Sequence, residues 1–288
     1  ILECERMCSI ALLLGCGYPK LDDAWEQILI NDFHDLICGT GTDEVYRATI
    51  ERYKKAEDIV RDGLRDGLSS LCKMIDTRGE GLPVVVFNSL PWEREGIVRV
   101  KVENDREYKV VDDEEREIPC QRVGREIIFA GKVPPMGYRV FHIVAGSSHF
   151  ANRFKIGENF IENEVCKVEV VDGKIRIEFR EHKIATNRIV VEEDVGNLWT
   201  IQKTGNVLRN VVQSVRIVER GPLRAGIEII GKCGGARYSK KIYLLPNSPL
   251  IEFVTHIKFK GRDRRILDRF TLGFDGSCLL YTSPSPRD

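Results

Sequence analysis

The sequence predicts an α+β multidomain fragment in which a three-helix bundle is followed by an antiparallel β-sandwich. Three observations predict it. Apolar residues recur at helical steps of three and four up to about Ile75, the period changes to two after Gly81, and no helical segment returns between the later strands. The boundaries that follow are residues 1–81 for the helical domain and 82–277 for an incomplete β-domain.

Ile1 to Gly15 reads as a helix halted by Gly15-Cys16-Gly17-Tyr18-Pro19. From Leu21 to about Ile37, Trp25, Ile28, Leu29, Phe33 and Leu36 form one apolar stripe, so a second helix is expected to run to Gly39. Thr40 or Thr42 is placed to cap a third helix, with Asp43 and Glu44 in its electropositive first turn. The stripe of Val45, Ile50, Tyr53, Val60, Leu64, Leu68, Leu71 and Ile75 makes this last helix a rod of roughly 45 Å. Short connections make the three an antiparallel bundle.

Beyond Thr77-Arg78-Gly79-Glu80-Gly81 the chain alternates. Val98, Val100 and Val102 interleave with Arg99 and Lys101, Ile175, Ile177 and Phe179 with Arg176 and Glu178, and Ile251, Phe253, Thr255, Ile257 and Phe259 form another half-buried strand. Turn signals such as Val171-Asp172-Gly173 and Pro246-Asn247-Ser248-Pro249 separate such strands, which is the pattern of an antiparallel sandwich. The acidic run from Asp112 to Glu117 is expected in a solvated hairpin connection rather than a cation site. There is no internal repeat.

Lys+Arg and Asp+Glu both number 44, which leaves no bulk field to draw the chain to nucleic acid. The longest uncharged apolar run, Ile10 to Leu14, falls far short of the roughly 20 residues needed to cross a bilayer, so no membrane partner is expected. The opening residue is Ile1 within what already reads as a helix, and the true start is expected upstream. Cys278 to Asp288 back-translates in one frame into something like a sequencing adapter, so it is set apart as read-through. The remaining cysteines, Cys4, Cys8, Cys16, Cys38, Cys72, Cys120, Cys166 and Cys233, form no C-x-x-C pair. Reduced thiols in a cytoplasm account for them most simply, with Cys4 and Cys8 as small apolar groups rather than ligands shared with Cys16.

The chemistry is concentrated in Asn31-Asp32-Phe33-His34-Asp35-Leu36-Ile37-Cys38-Gly39-Thr40-Gly41-Thr42. An imidazole is a good zinc ligand, and a carboxylate can bind zinc or accept hydrogen bonds from sugar hydroxyls. On a continuous helix, His34 lies about 180° from Trp25 and points away from the bundle stripe.

Ala24-Trp25 through Tyr46, with Phe33-His34-Asp35 and Gly39-Thr40, closely resembles the metal-site segment of glycoside hydrolase family 38 α-mannosidases. The long following helix, Val86-Phe87-Asn88-Ser89-Leu90-Pro91-Trp92, Pro134-Pro135-Met136-Gly137-Tyr138, Ile161-Glu162-Asn163-Glu164 and Leu245-Pro246-Asn247-Ser248-Pro249 look like that family's successive landmarks, in order. The resemblance implies a retaining, zinc-dependent hydrolase of α-mannosidic bonds in mannose-containing oligosaccharides. It implies further that a catalytic barrel upstream supplies the nucleophile, the acid/base and the other zinc ligands.

For this chain the resemblance implies no catalytic residue of its own, His34 as the one bundle-derived zinc ligand, and Asp35 as a partner of mannose hydroxyls. Trp199, in Asp194-Val195-Gly196-Asn197-Leu198-Trp199, resembles a segment that reaches toward substrate in some members, although its plainer reading is a core aromatic. The metal would bind sugar hydroxyls, and two barrel carboxyls roughly 5 to 5.5 Å apart would carry out retention. Asp32 and Cys38 depart from the residues common in the family, Gln and Pro. His142, His149, His182 and His256 lie in no motif. A non-catalytic carbohydrate-binding or interaction module is the competing reading, to be decided by whether a barrel is encoded upstream of Ile1. Linkage specificity and assembly into a homo-oligomer are left open.

Overall fold

The computed structural model describes residues 1–17, 19–179, 182–197 and 200–272. Tyr18 of the anticipated helix stop, Trp199 and the segment Cys278–Asp288 lie outside the described residues. The chain divides into two compact units, Ile1–Pro119 with Arg125–Ser148, and Cys120–Gly124 with His149 onward.

The first unit begins with helices α1 (Leu2–Leu13), α2 (Asp22–Asn31), α3 (His34–Ile37) and α4 (Asp43–Cys72). Thr42 caps α4, its side chain accepting from the Val45 amide at 3.4 Å. The second predicted helix is broken. Phe33 takes an extended conformation (φ −56°, ψ 135°), and its carbonyl starts α3 by accepting from the Leu36 and Ile37 amides. Asn31 and Asp32 favour such an interruption because their short polar side chains compete for backbone partners. Asn31 is fully buried and donates to the Thr49 carbonyl on α4 at 2.9 Å, while its Oδ1 accepts from Arg52.

On α4, Val60, Leu64 and Leu68 pack into the helical core, and small residues beside them allow a closer approach. Thr49, Ala56, Gly63, Gly67 and Leu71 form its buried line, whereas Val45 and Tyr53 of the anticipated stripe are exposed. A Cβ added at Gly63 would sit 3.1 Å from Pro19 and 3.3 Å from Cys4 Sγ, and one at Gly67 would sit 2.9 Å from Cys8 Sγ. Cys4 and Cys8 are thus the knobs that the two glycines admit. Burial, with Cys4 beside it, pushes the Cys8 thiol up to about 12, so it stays protonated and packs as a small apolar group. Trp25 Nε1 donates to Glu5 at 2.6 Å and ties α2 to α1.

Gly67→Leu is expected to destabilise this helical contact by about 1–3 kcal/mol through overpacking, against a helix-propensity gain of under ~1 kcal/mol. Pairing it with Cys8→Ala should recover part of the loss. Urea unfolding followed by far-UV circular dichroism measures both, and an unchanged midpoint for Gly67→Leu would show that α1 does not sit that close.

The same unit continues with β1 (Leu82–Asn88), β2 (Arg94–Lys101), β3 (Tyr108–Val111), β4 (Glu117–Ile118) and, after β5 (Cys120–Val123) of the other unit, β6 (Glu126–Val133) and β7 (Gly137–Ala145). One antiparallel sheet has the order β1-β7-β3-β4, and β2 pairs with β6. Phe129 of β6 and Phe141 of β7 meet with ring centroids 4.9 Å apart in the core. The acidic run is indeed a hairpin connection, but Asp112 within it is buried. Its carboxylate accepts from the Glu114 and Arg116 amides and from the Arg116 guanidinium, which shapes the turn.

In the second unit, β8 (Lys155–Ile156), β9 (Phe160–Glu162), β10 (Cys166–Val171), β11 (Lys174–Phe179), β12 (His182–Asp194), β13 (Lys203–Leu208) and, far along the chain, β18 (Arg264–Leu272) form one antiparallel sheet. A second sheet has the order β14 (Asn210–Arg220), β15 (Ala225–Cys233), β16 (Ala236–Leu244) and β17 (Ile251–Phe259). Their facing sides share one core that includes Ile161, Val168, Ile189, Val191, Ile227 and Ile242. Asp172 and Gly173 join β10 to β11 with φ of 51° and 72°, the two-residue turn that this dipeptide favours.

The four landmark segments of the β region pair off. Asn88 donates to the Trp92 and Pro134 carbonyls, and Met136 N donates to Leu90, which fastens Phe87–Trp92 to Pro134–Tyr138. Asn163 donates to Leu245 and Ser248 and accepts from the Val165 and Cys166 amides, while Glu164 accepts from Asn247 N. Each lock is a buried asparagine satisfied on both sides of its amide.

Candidate metal and sugar site

His34 and Asp35 open the four-residue α3, directly after the break at Phe33. Their side chains are 77% and 54% exposed, with His34 Nε2 3.5 Å from Asp35 Oδ2. The Phe33 ring lies 4.3 Å from the imidazole, centroid to centroid. The helical-wheel argument from Trp25 does not survive the break, because the two residues are on different helices. His34 reaches solvent because the chain restarts at Phe33.

The far end of α3 is closed locally. Gly39 adopts φ 73° and returns its amide to Leu36, a left-handed stop that a Cβ would strain. Cys38 Sγ donates to the His34 carbonyl at 2.7 Å, and Thr40 Oγ1 donates to the Asp35 carbonyl at 3.4 Å. Two carbonyls that a helix end leaves without partners are thereby satisfied, and the backbone carrying both site residues is tied. Sequence reasoning assigned no role to Asn31 or Cys38 and offered Thr40 only as an alternative cap of the following helix, a place that Thr42 takes. The signal for Asn31 was available: Ala24, Ile28 and Asn31 follow helical spacing, which places an amide on an otherwise apolar face.

In the flanking sequence Leu29, Phe33, Ile37 and Tyr46 are each more than half open to solvent. Among the described residues no group of three or more His, Cys, Asp and Glu side chains could hold a metal ion. His34 offers one imidazole and Asp35 one carboxylate, so a catalytic zinc, which takes three protein ligands, would need further donors from elsewhere. Among the described residues no helix is long and apolar enough to cross a membrane.

Compared with known protein families, residues 1–71 match the alpha mannosidase middle domain. No curated protein matches the chain. The match ends at Leu71 and so spans the bundle, including Asn31, the His34–Asp35 pair and the close-packed glycines of α4.

Proposed function

We propose, from the match of residues 1–71 to the alpha mannosidase middle domain, that the chain is the bundle and β portion of a retaining, zinc-dependent α-mannosidase acting on mannose-containing oligosaccharides. The observation that carries the reading is the exposed His34–Asp35 pair, set on tied backbone within the matched segment and with the Phe33 ring beside the imidazole. His34 supplies one zinc ligand and Asp35 accepts hydrogen bonds from mannose hydroxyls. Zinc contributes Lewis acidity and a template for the sugar. The nucleophile, the acid/base and the remaining ligands belong to a catalytic domain outside this sequence. A reducing, cytoplasmic location is supported by the eight free cysteines of the described residues.

The test compares this chain with a longer protein extended upstream of Ile1. This chain alone is expected to leave an aryl α-mannoside unhydrolysed, with or without added zinc, because one imidazole and one carboxylate neither hold a catalytic metal nor perform two-carboxyl chemistry. The extended protein is expected to turn it over and to lose activity to a chelator. Metal-dependent hydrolysis by the isolated chain would overturn the division of labour, and an extended protein without activity would overturn the function.

A further inference from the structure

β12 changes partners along its length. It pairs with β11 through Asn187, opposite Ile175, and with β13 from Val191, opposite Leu208. Arg188, Ile189 and Val190 between them have β18 on one side. On the other side lies a notch of about 530 Å³, lined by the Asp172–Lys174 turn, by Arg188–Val190 and by Val207–Val212. This size is within the range of small-molecule pockets.

Three basic residues, Lys174, Arg188 and Arg209, line the notch against a single acid, Asp172. Among the described residues none of the three cations has an ion-pair partner. Elsewhere in the same unit four strand arginines are neutralised, Arg216 by Glu228, Arg264 by Glu193, and Arg265 and Arg269 by Glu192, while Arg176, Arg220 and Arg237 stand singly on other strands, so what sets the notch apart is that three such cations line one concavity. The floor is fixed in advance, since Asn210 donates to the Ile189 carbonyl at 2.9 Å and accepts from the Tyr238 hydroxyl at 2.9 Å. The walls are not wholly polar. Val207 and Val211 remain 55% and 45% exposed, which suits the carbon body of a ligand as well as its charge.

We propose that this notch binds a small phosphomonoester, its phosphate held by Lys174, Arg188 and Arg209 and its organic part against Val207 and Val211. Guanidinium groups match phosphate oxygens in geometry as well as charge, which favours this anion class. The proposal is independent of the His34–Asp35 reading, because all its groups lie in the second unit.

The experiment titrates the whole chain with glycerol 3-phosphate, inorganic phosphate and uncharged glycerol, using calorimetry and amide NMR. Glycerol 3-phosphate is expected to shift the Gly173, Ile189 and Arg209 amides and to bind more tightly than inorganic phosphate, with glycerol silent. The double variant Arg188→Ala/Arg209→Ala should raise Kd about tenfold or more, the loss of at least one charge-assisted hydrogen bond. Asp172→Asn, which keeps a residue that tolerates the positive φ, should tighten binding by removing the one repulsive carboxylate. Lys203→Gln/Lys258→Gln, away from the notch, should change Kd little. Equal binding by the arginine double variant and the lysine control, or no tightening in Asp172→Asn, would overturn the site. Inorganic phosphate binding as tightly as glycerol 3-phosphate would overturn the assignment of an organic ligand.

Discussion

In the extended α-mannosidase proposed above, His34→Ala is expected to lose zinc and turnover together, with kcat/KM falling by more than about 100-fold. The magnitude follows from ligand chemistry. Changing only the outer partners of a metal ligand costs roughly 10- to 100-fold, so removing a ligand should cost more. Asp35→Ala is expected to separate the two readouts: zinc content near wild type, but turnover and substrate affinity reduced, since each hydrogen bond lost to a charged acceptor is worth about 1.5–3 kcal/mol. Asp43→Ala is the control, since Asp43 lies in the first turn of α4 rather than in α3 with His34 and Asp35. It should cost only a fraction of a kcal/mol to about 1 kcal/mol of helix-dipole stabilisation and leave metal and rate alone. Metal analysis beside steady-state kinetics distinguishes these cases. Normal zinc and normal rate in His34→Ala would make the Phe33-His34-Asp35 segment structural.

The Phe33-His34-Asp35 segment is a motif in the sequence, but the break that exposes its side chains is not. Helical and strand periods located the bundle and the sandwich strands, and the Asp172–Gly173 turn formed where its dipeptide predicts. Periodicity over-read the second helix, because Phe33 fits the apolar stripe while its backbone is extended. The apolar stripe of α4 holds for Val60, Leu64, Leu68 and Leu71, which pack into the helical core, but not for Val45 and Tyr53 nearer its start, which are exposed. Large side chains such as Tyr53 advertise a face, but Gly63 and Gly67 let α1 approach, and a missing side chain leaves no hydrophobic signal. The asparagine locks were present as motifs without a mechanism. Asn88 and Asn163 hold segments 46 and 82 residues away, a distance in sequence that no local pattern conveys. The grouping of the early strands with the helices in one unit was likewise illegible, since strand alternation marks a buried face but not the element it is buried against.

Arg224→Ala is expected to destabilise the second unit by roughly 3–5 kcal/mol, the usual cost of leaving a buried charge without its partner. Arg224 and Glu219 side chains are each 4% exposed, and the guanidinium donates from Nε and Nη2 to the two carboxylate oxygens at 2.6 Å apiece. Its other face covers the Tyr243 ring, 3.9 Å from the centroid. Gln121 completes the cluster by donating to Glu219 and accepting from the Leu223 and Arg224 amides. Truncating the arginine therefore removes two charge-assisted bonds and a stacking contact and strands the carboxylate. Glu219→Gln should be costly too, because it leaves the buried guanidinium without a counter-charge and turns one accepting oxygen toward Arg224 into a donor. The double change Glu219→Leu/Arg224→Met should be milder than Arg224→Ala alone, since apolar replacements of similar size leave no charge to desolvate. Amide hydrogen exchange along β15, which starts at Ala225 beside this cluster, reads the local opening free energy directly. If Arg224→Ala and the double change lower protection equally, the carboxylate is not stranded and the loss comes from packing over Tyr243 alone.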